Sequence, residues 1–174
     1  MILIERDDFM YIPEIPNNSI TKEIKKLTAL CEKKIAEYGE NSSWFKPPMI
    51  ENDIQKWETE NNIKLPATYR EWLLFSEESL IRNDLAHFYR LDDFKYNVID
   101  VSPDLIVIGE IFGDGEMICL SKSKNTFCIF DHGESEEQED FRDILKEIIR
   151  ILDEKSSLSP KMQDVLMQMV KDKK

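Results

Sequence analysis

The chain has 174 residues, of which 41% are hydrophobic and 33% charged, so it can bury one core of ordinary size. Its formal net charge of -12 at pH 7 repels phosphate backbones and anionic lipid, which disfavours nucleic acid and membrane surfaces as partners. A basic protein is favoured instead. Acidity also serves solubility alone, so both explanations of the charge stay open.

The chain carries no recognisable targeting or membrane segment. Residues 1–8 combine a short apolar run with four charged residues, unlike a signal peptide, and no internal apolar run is longer than the four residues of Leu105–Ile108. Three cysteines, Cys31, Cys119 and Cys128, match no zinc or haem spacing and suit reduced thiols. We expect a soluble, cytoplasmic protein.

The first half of the chain is predicted to be helical. Between Ser19 and Tyr38 apolar residues recur at steps of three and four, which is typical of one buried helix stripe, and Gly39 supplies a stop. A short amphipathic helix is expected from Ile50 to Asn61 or Asn62. Pro66 suits the first position of a third helix. The core-facing residues of that helix are Tyr69, Trp72 and Leu73.

A sheet is predicted in the second half. From Glu77 to Val101 the pattern is weak, with a strand expected at His87–Leu91 and a turn at Asp92–Phe94. Leu105–Phe112 is an apolar run that ends at Gly113, Asp114 and Gly115, as expected of a buried strand before a tight turn. Two further strand-like runs make a hairpin, Met117–Leu120 and Phe127–Phe130.

The residues after the hairpin are expected to close the sheet and return to helix. Asp131–Glu134 ends the sheet, and an acidic run precedes a long amphipathic helix from Phe141 to Leu152. A last helix is predicted at Pro160–Val170. The fold class is therefore α+β: a single domain with a central, mainly antiparallel sheet flanked by helices, plus extra N-terminal and C-terminal helices.

Catalytic and metal-binding patterns are scarce. Of the two histidines, His132 lies at a predicted strand end, where a turn residue is the commoner role, and His87 carries less signal. Cys119 and Cys128 lie on adjacent predicted strands, where filling the core is the commoner role. Asp114 beside Gly115 lacks the alternating ligands of a calcium loop. There is no phosphate-binding or dinucleotide motif, so we expect no catalytic residue, metal or cofactor.

Three stretches in order resemble the SUKH superfamily. They are Ile54-Gln-Lys-Trp-Glu58 with Asn62-Ile-Lys-Leu-Pro66 and Tyr69-Arg-Glu-Trp-Leu73; Ile106-Val-Ile-Gly-Glu110 with Phe112-Gly-Asp-Gly115 and Ile118-Cys-Leu120; and Phe127-Cys-Ile-Phe-Asp-His132 with Phe141 and Leu145. The resemblance covers about Ile50 to Leu152. It departs at Ser76–Ser79, where the family usually has an Asn-Gly-Gly type turn. With this core taken as residues 49–155, residues 1–48 are an N-terminal helical extension packed on the domain and 156–174 a C-terminal helix.

The resemblance implies a protein partner and no conserved catalytic residues. The family includes bacterial immunity proteins, which neutralise a cognate toxin, and a fungal regulator of cell-wall glucan synthesis. We expect an immunity protein that binds a toxin, in particular a basic nuclease toxin, because an acidic surface complements a basic one. The alternative is a regulatory or scaffold binder in cell-wall or signalling processes, and a hydrolase with an unrecognised carboxylate site ranks below both. The candidate contact residues are Glu77, Glu78, Asp92, Asp93, Asp114, Glu116 and Glu134.

Overall fold

A computed structural model describes residues 10–38, 43–111 and 115–156. The helices are α1 (Thr21–Tyr38), α2 (Glu51–Asn61), α3 (Ala67–Leu73), the single turn α4 (Arg82–Leu85) and α5 (Phe141–Ser156), with a 3-10 turn at Leu91–Asp93. The strands are β1 (Trp44–Phe45), β2 (Ser79–Ile81), β3 (Ala86–Phe88), β4 (Leu105–Ile111), β5 (Glu116–Ser121), β6 (Phe127–Asp131) and β7 (Glu134–Gln138). Across these described ranges, none of the helices is long and apolar enough to span a bilayer.

The seven strands form one antiparallel sheet in chain order, from β1 at one edge to β7 at the other. A register shift between Val107 and Gly109 puts a bulge into β4. Gly109 faces the backbone of β3, where an added Cβ would lie 2.5 Å from the carbonyl oxygen of His87. Glycine is therefore required there, because only a residue without a side chain lets the two strands approach this closely.

Helix α5 covers one face of the sheet. Its apolar stripe is fully buried, as the spacing predicts, and comprises Phe141, Ile144, Leu145, Ile148 and Leu152. An aromatic cluster joins this helix to α3 and the sheet, with ring centroids 4.9 Å apart for Tyr69 and Phe141 and 5.8 Å apart for Trp72 and Phe141. Helix α1 packs against α5 and buries Ile24 and Leu27, and Ile20 just before the helix is buried as well. The core thus lies between the sheet and its helices.

The α+β class and the central antiparallel sheet are confirmed. Helix α2 ends at Asn61, as predicted, and its C-cap residue Asn62 adopts the left-handed conformation with φ 52°. Pro66 precedes α3 as its cap residue and is not its first helical residue, a difference of one position. The predicted strand at His87–Leu91 is shorter and earlier, at Ala86–Phe88, because Leu91 begins the 3-10 turn.

The prediction that Asp131–Glu134 closes the sheet is wrong. His132 and Gly133 both have positive φ, 46° and 90°, which gives the two-residue turn that sends the chain straight back along β6. The acidic residues that follow form β7. The predicted helix at Pro160–Val170 lies outside the described residues, and the division of the chain at residues 48 and 155 stays a prediction.

Candidate functional site

The candidate contact residues fall into separate places. Glu116 and Glu134 line a concave corner between the sheet and α5, whereas Glu77 and Asp92 line a cleft beside α2. Asp93 is exposed next to Asp92. The remaining two differ again, since Glu78 is paired inside the protein and Asp114 lies outside the described residues. The six candidates that the structure describes therefore do not form one surface.

The corner is a cavity of about 230 Å³, here named the acidic corner. It is lined by Ile111, Glu116, Ile129, Asp131, Glu134, Glu136, Glu147 and Ile151. The turn at His132 and Gly133 builds it, because it pairs β7 with β6 so that Asp131 stands opposite Glu134 and Ile129 opposite Glu136. Alternate residues of a strand share one face, so two carboxylates of β7 point toward α5 beside the apolar floor.

Five carboxylates and no basic side chain line the acidic corner among the described residues. Glu147 is partly compensated, since Arg150 Nη2 lies 2.6 Å from its Oε1, and this hydrogen bond lowers the pKa of Glu147. Asp131 contacts the exposed ring of His132. Glu134 and Glu136 stand exposed on β7. Like charges within a Debye length of roughly 8 Å reinforce one another, so the corner attracts cations.

The cleft beside α2 has a volume of about 260 Å³ and a different character. Trp57, Met49 and Leu91 supply apolar surface, and its ionisable residues carry both signs. Glu77 lies 3.7 Å from Arg90 in an ion pair, and Lys56 lies 3.8 Å from Glu60. Because these charges are paired within the protein, the cleft complements a basic surface less well than the acidic corner does.

The Ser76–Ser79 segment, where the resemblance departs, is held by the buried Ser76 hydroxyl and by a contact between Glu78 and His87. Ser76 Oγ lies 2.9 Å from the carbonyl oxygen of Lys46 and 2.7 Å from that of Glu78. The Glu78 carboxylate lies 2.9 Å from Nε2 of His87. Glu78 is therefore a weaker contact candidate than its exposed neighbours, since a partner would have to compete with His87.

The cysteines and His132 occupy the positions that the sequence predicts. Cys119 and Cys128 are directly opposite one another on β5 and β6, and both are buried. Burial raises the pKa of Cys31 to about 11, so this thiol stays protonated. His132 is an exposed turn residue. No group of three or more His, Cys, Asp or Glu within the described ranges could hold a metal ion.

Three members of the corner, Asp131, Glu136 and Glu147, are not among the residues that the sequence predicts as contacts. Glu136 belongs to the acidic run expected before a helix but lies in β7, and Glu147 lies on α5, which follows the hairpin in the chain. The sequence signal for this hairpin is Gly133 directly after His132, because Gly readily adopts the positive φ that the second residue of such a two-residue turn requires.

One family model matches the chain, described as the SMI1 / KNR4 family (SUKH-1), over residues 48–147. The match runs from just before α2 into α5, so it includes the cleft and all residues of the acidic corner except Ile151. It leaves α1 outside. No curated protein matches the chain.

Proposed function

We propose, from the premise that this chain belongs to the SMI1 / KNR4 family (SUKH-1), that it is a non-catalytic binding module whose partner is a basic protein. The family includes immunity proteins and cell-wall regulators. Of these two roles we favour the immunity protein, which neutralises a cognate toxin in the cytoplasm by occupying it directly. The proposed partner is a basic toxin domain, such as a nuclease whose positive surface binds the phosphates of nucleic acid.

The acidic corner carries this proposal. Its exposed carboxylates attract a basic surface over a distance and raise the rate of encounter, which is where electrostatic complementarity contributes most. Its floor of Ile111, Ile129 and Ile151 supplies apolar area that a partner side chain can cover. A tight interface needs such a desolvated centre within a polar rim, and the corner combines the two.

The test is affinity capture from native lysate with a matched pair of variants. Glu134→Gln with Glu136→Gln removes two charges from the corner, whereas Glu14→Gln with Glu32→Gln removes two exposed charges outside it. We expect the first pair to weaken binding of a basic partner about tenfold at low salt and to reduce its salt sensitivity. The second pair should bind like the parent chain.

A growth assay separates immunity from binding alone. Cells that express the chain should survive a challenge with the captured toxin, and the Glu134→Gln, Glu136→Gln variant should protect them less. Capture of no basic partner, or equal losses from both variant pairs, would refute the proposal, because the loss would then follow net charge and not the corner.

The cleft beside α2 favours a second candidate, a regulatory or scaffold binder in cell-wall or signalling processes. Its mixed charges and the Trp57 side chain suit a partner that need not be basic. Trp57 is also a core residue, so the test uses an exposed cleft residue, Asp53→Ala, with the exposed Glu14→Ala outside the cleft as control. Capture of a housekeeping protein that Asp53→Ala releases, with the corner variants unaffected, would establish this candidate in place of the first.

A further inference from the structure

The outer edge of β7 has backbone groups without a neighbouring strand. In the two-residue hairpin, Asp131 and Glu134 form a hydrogen-bonded pair, and alternate pairs follow along the ladder. The N–H and C=O groups of Glu134 and Glu136 therefore point to β6, and those of Ser135 and Glu137 point away from the sheet. Ser135 and Glu137 are both exposed, and no strand within the described ranges pairs with this edge.

An open edge of five residues is a template for another strand, and proteins usually blunt such edges. At the opposite edge β1 has only two residues. On β7 the blunting device is charge: Glu134, Glu136 and Glu137 are all acidic. Pairing of two copies of β7 would bring carboxylates close together across the new ladder, which is destabilising. The charge pattern thus disfavours pairing of β7 with β7 of a second copy of this chain, and it favours pairing with a strand of opposite charge.

We propose that β7 binds an extended basic segment of the partner protein as an eighth strand of the sheet. This inference rests on the proposed function and specifies how the partner binds. Backbone hydrogen bonds to Ser135 and Glu137 supply affinity, and side chains of the added strand supply specificity at every second position. Lys or Arg side chains at alternate positions reach Glu134 and Glu136 on the α5 side, where the acidic corner begins.

The opposite face of β7 is less acidic. There Lys124 Nζ lies 3.5 Å from Oε1 of Glu137, so one carboxylate is already paired with a cation. The added strand therefore needs basic residues only on the face toward α5, and uncharged polar residues suit the other. An alternating Lys and Thr sequence meets both requirements.

The test uses the full chain and a synthetic hexapeptide of alternating Lys and Thr, followed by hydrogen exchange and NMR titration. We expect the amides of Ser135 and Glu137 to gain protection. Ser135→Pro removes an outward N–H while leaving the ladder to β6 intact, so it should fold normally and weaken peptide binding about tenfold. Ser135→Ala is the matched control and should bind like the parent chain. Glu137→Pro repeats the test at the second outward position.

Protection at other strands, equal binding by Ser135→Pro and Ser135→Ala, or no binding of the peptide would overturn strand addition. The capture experiment distinguishes strand addition at β7 from the proposed binding of a basic partner. A basic partner that binds the parent chain and Ser135→Pro equally refutes strand addition and leaves the proposed function standing, whereas the absence of any basic partner refutes the proposed function.

Discussion

Replacing Tyr69 by Phe should stabilise the protein. Tyr69 is fully buried on α3, and its hydroxyl has no hydrogen-bond partner among the described residues. Burial raises the pKa of Tyr69 far above its ordinary value, so the group is neutral and its cost is that of an unpaired hydroxyl. Such a group costs about 1–3 kcal/mol when buried, and the ring itself stays in place in Phe.

The ring is worth keeping because it packs against three aromatic neighbours. Its centroid lies 4.9 Å from that of Phe141, 6.0 Å from that of Phe127 and 6.3 Å from that of Phe94. Tyr69→Phe retains these contacts and removes only the hydroxyl. We expect the free energy of unfolding to rise by about 1 kcal/mol, which for a chain of this size raises Tm by roughly 2–4 °C.

Urea unfolding followed by tryptophan fluorescence, together with calorimetry, measures this change. Tyr89→Phe is the matched control, because the hydroxyl of Tyr89 lies 3.3 Å from Lys95 Nζ and its removal should cost about 0.5–1.5 kcal/mol. The two variants should therefore move in opposite directions. A loss of stability of about 1 kcal/mol or more in Tyr69→Phe would show that its hydroxyl is hydrogen bonded, and the reasoning would fail.

Three other perturbations have expected signs. Gly109→Ala should destabilise the sheet by about 1–3 kcal/mol in urea unfolding, because its Cβ would meet the backbone of β3. His132→Asn should stabilise the hairpin by about 0.5–1 kcal/mol, since Asn tolerates positive φ better at this turn. The hydrogen bond from Ser121 Oγ, at 2.6 Å, lowers the pKa of Asp104. Its stabilising effect is present above the ordinary pKa of 3.8 and is lost as the pH falls through the lower folded value. Asp104→Asn should flatten this acid dependence.

Each of these has a contrary outcome. A Gly109→Ala protein as stable as the parent would mean that β3 and β4 separate without cost. A His132→Asn protein that loses stability would show that the contact of His132 with Asp131 outweighs the better fit of Asn to positive φ. Parallel pH profiles for Asp104→Asn and the parent chain below about pH 4 would show that Asp104 is protonated equally readily in the folded and unfolded states.

Elements with a periodic apolar pattern could be predicted from the sequence. Strands β4, β5 and β6 begin and end within one residue of their expected positions, and helix α5 begins at Phe141 as expected but continues to Ser156 instead of ending at Leu152. These elements are predictable because the spacing of their buried apolar residues shows whether the segment is a helix or a strand. The position of Cys119 opposite Cys128 on the neighbouring strand is also predictable, because the two strands are adjacent in the chain and joined by a short loop. The sequence pattern is therefore enough to predict an element when the apolar residues along its whole length face the core.

The short strands and the acidic corner depended on tertiary structure. Strands β1 and β2 have two and three residues, too few for a period to be recognised, and they exist because neighbouring strands pair with them. Strand β7 is acidic throughout most of its length and exposed on both faces, so no apolar residue marks it, and glutamate does not favour strands. Its partner β6 and a turn of two residues make it a strand. Amino-acid composition thus determined the sign of the charge, but only the pairing of β7 and the packing of α5 determined where that charge is concentrated.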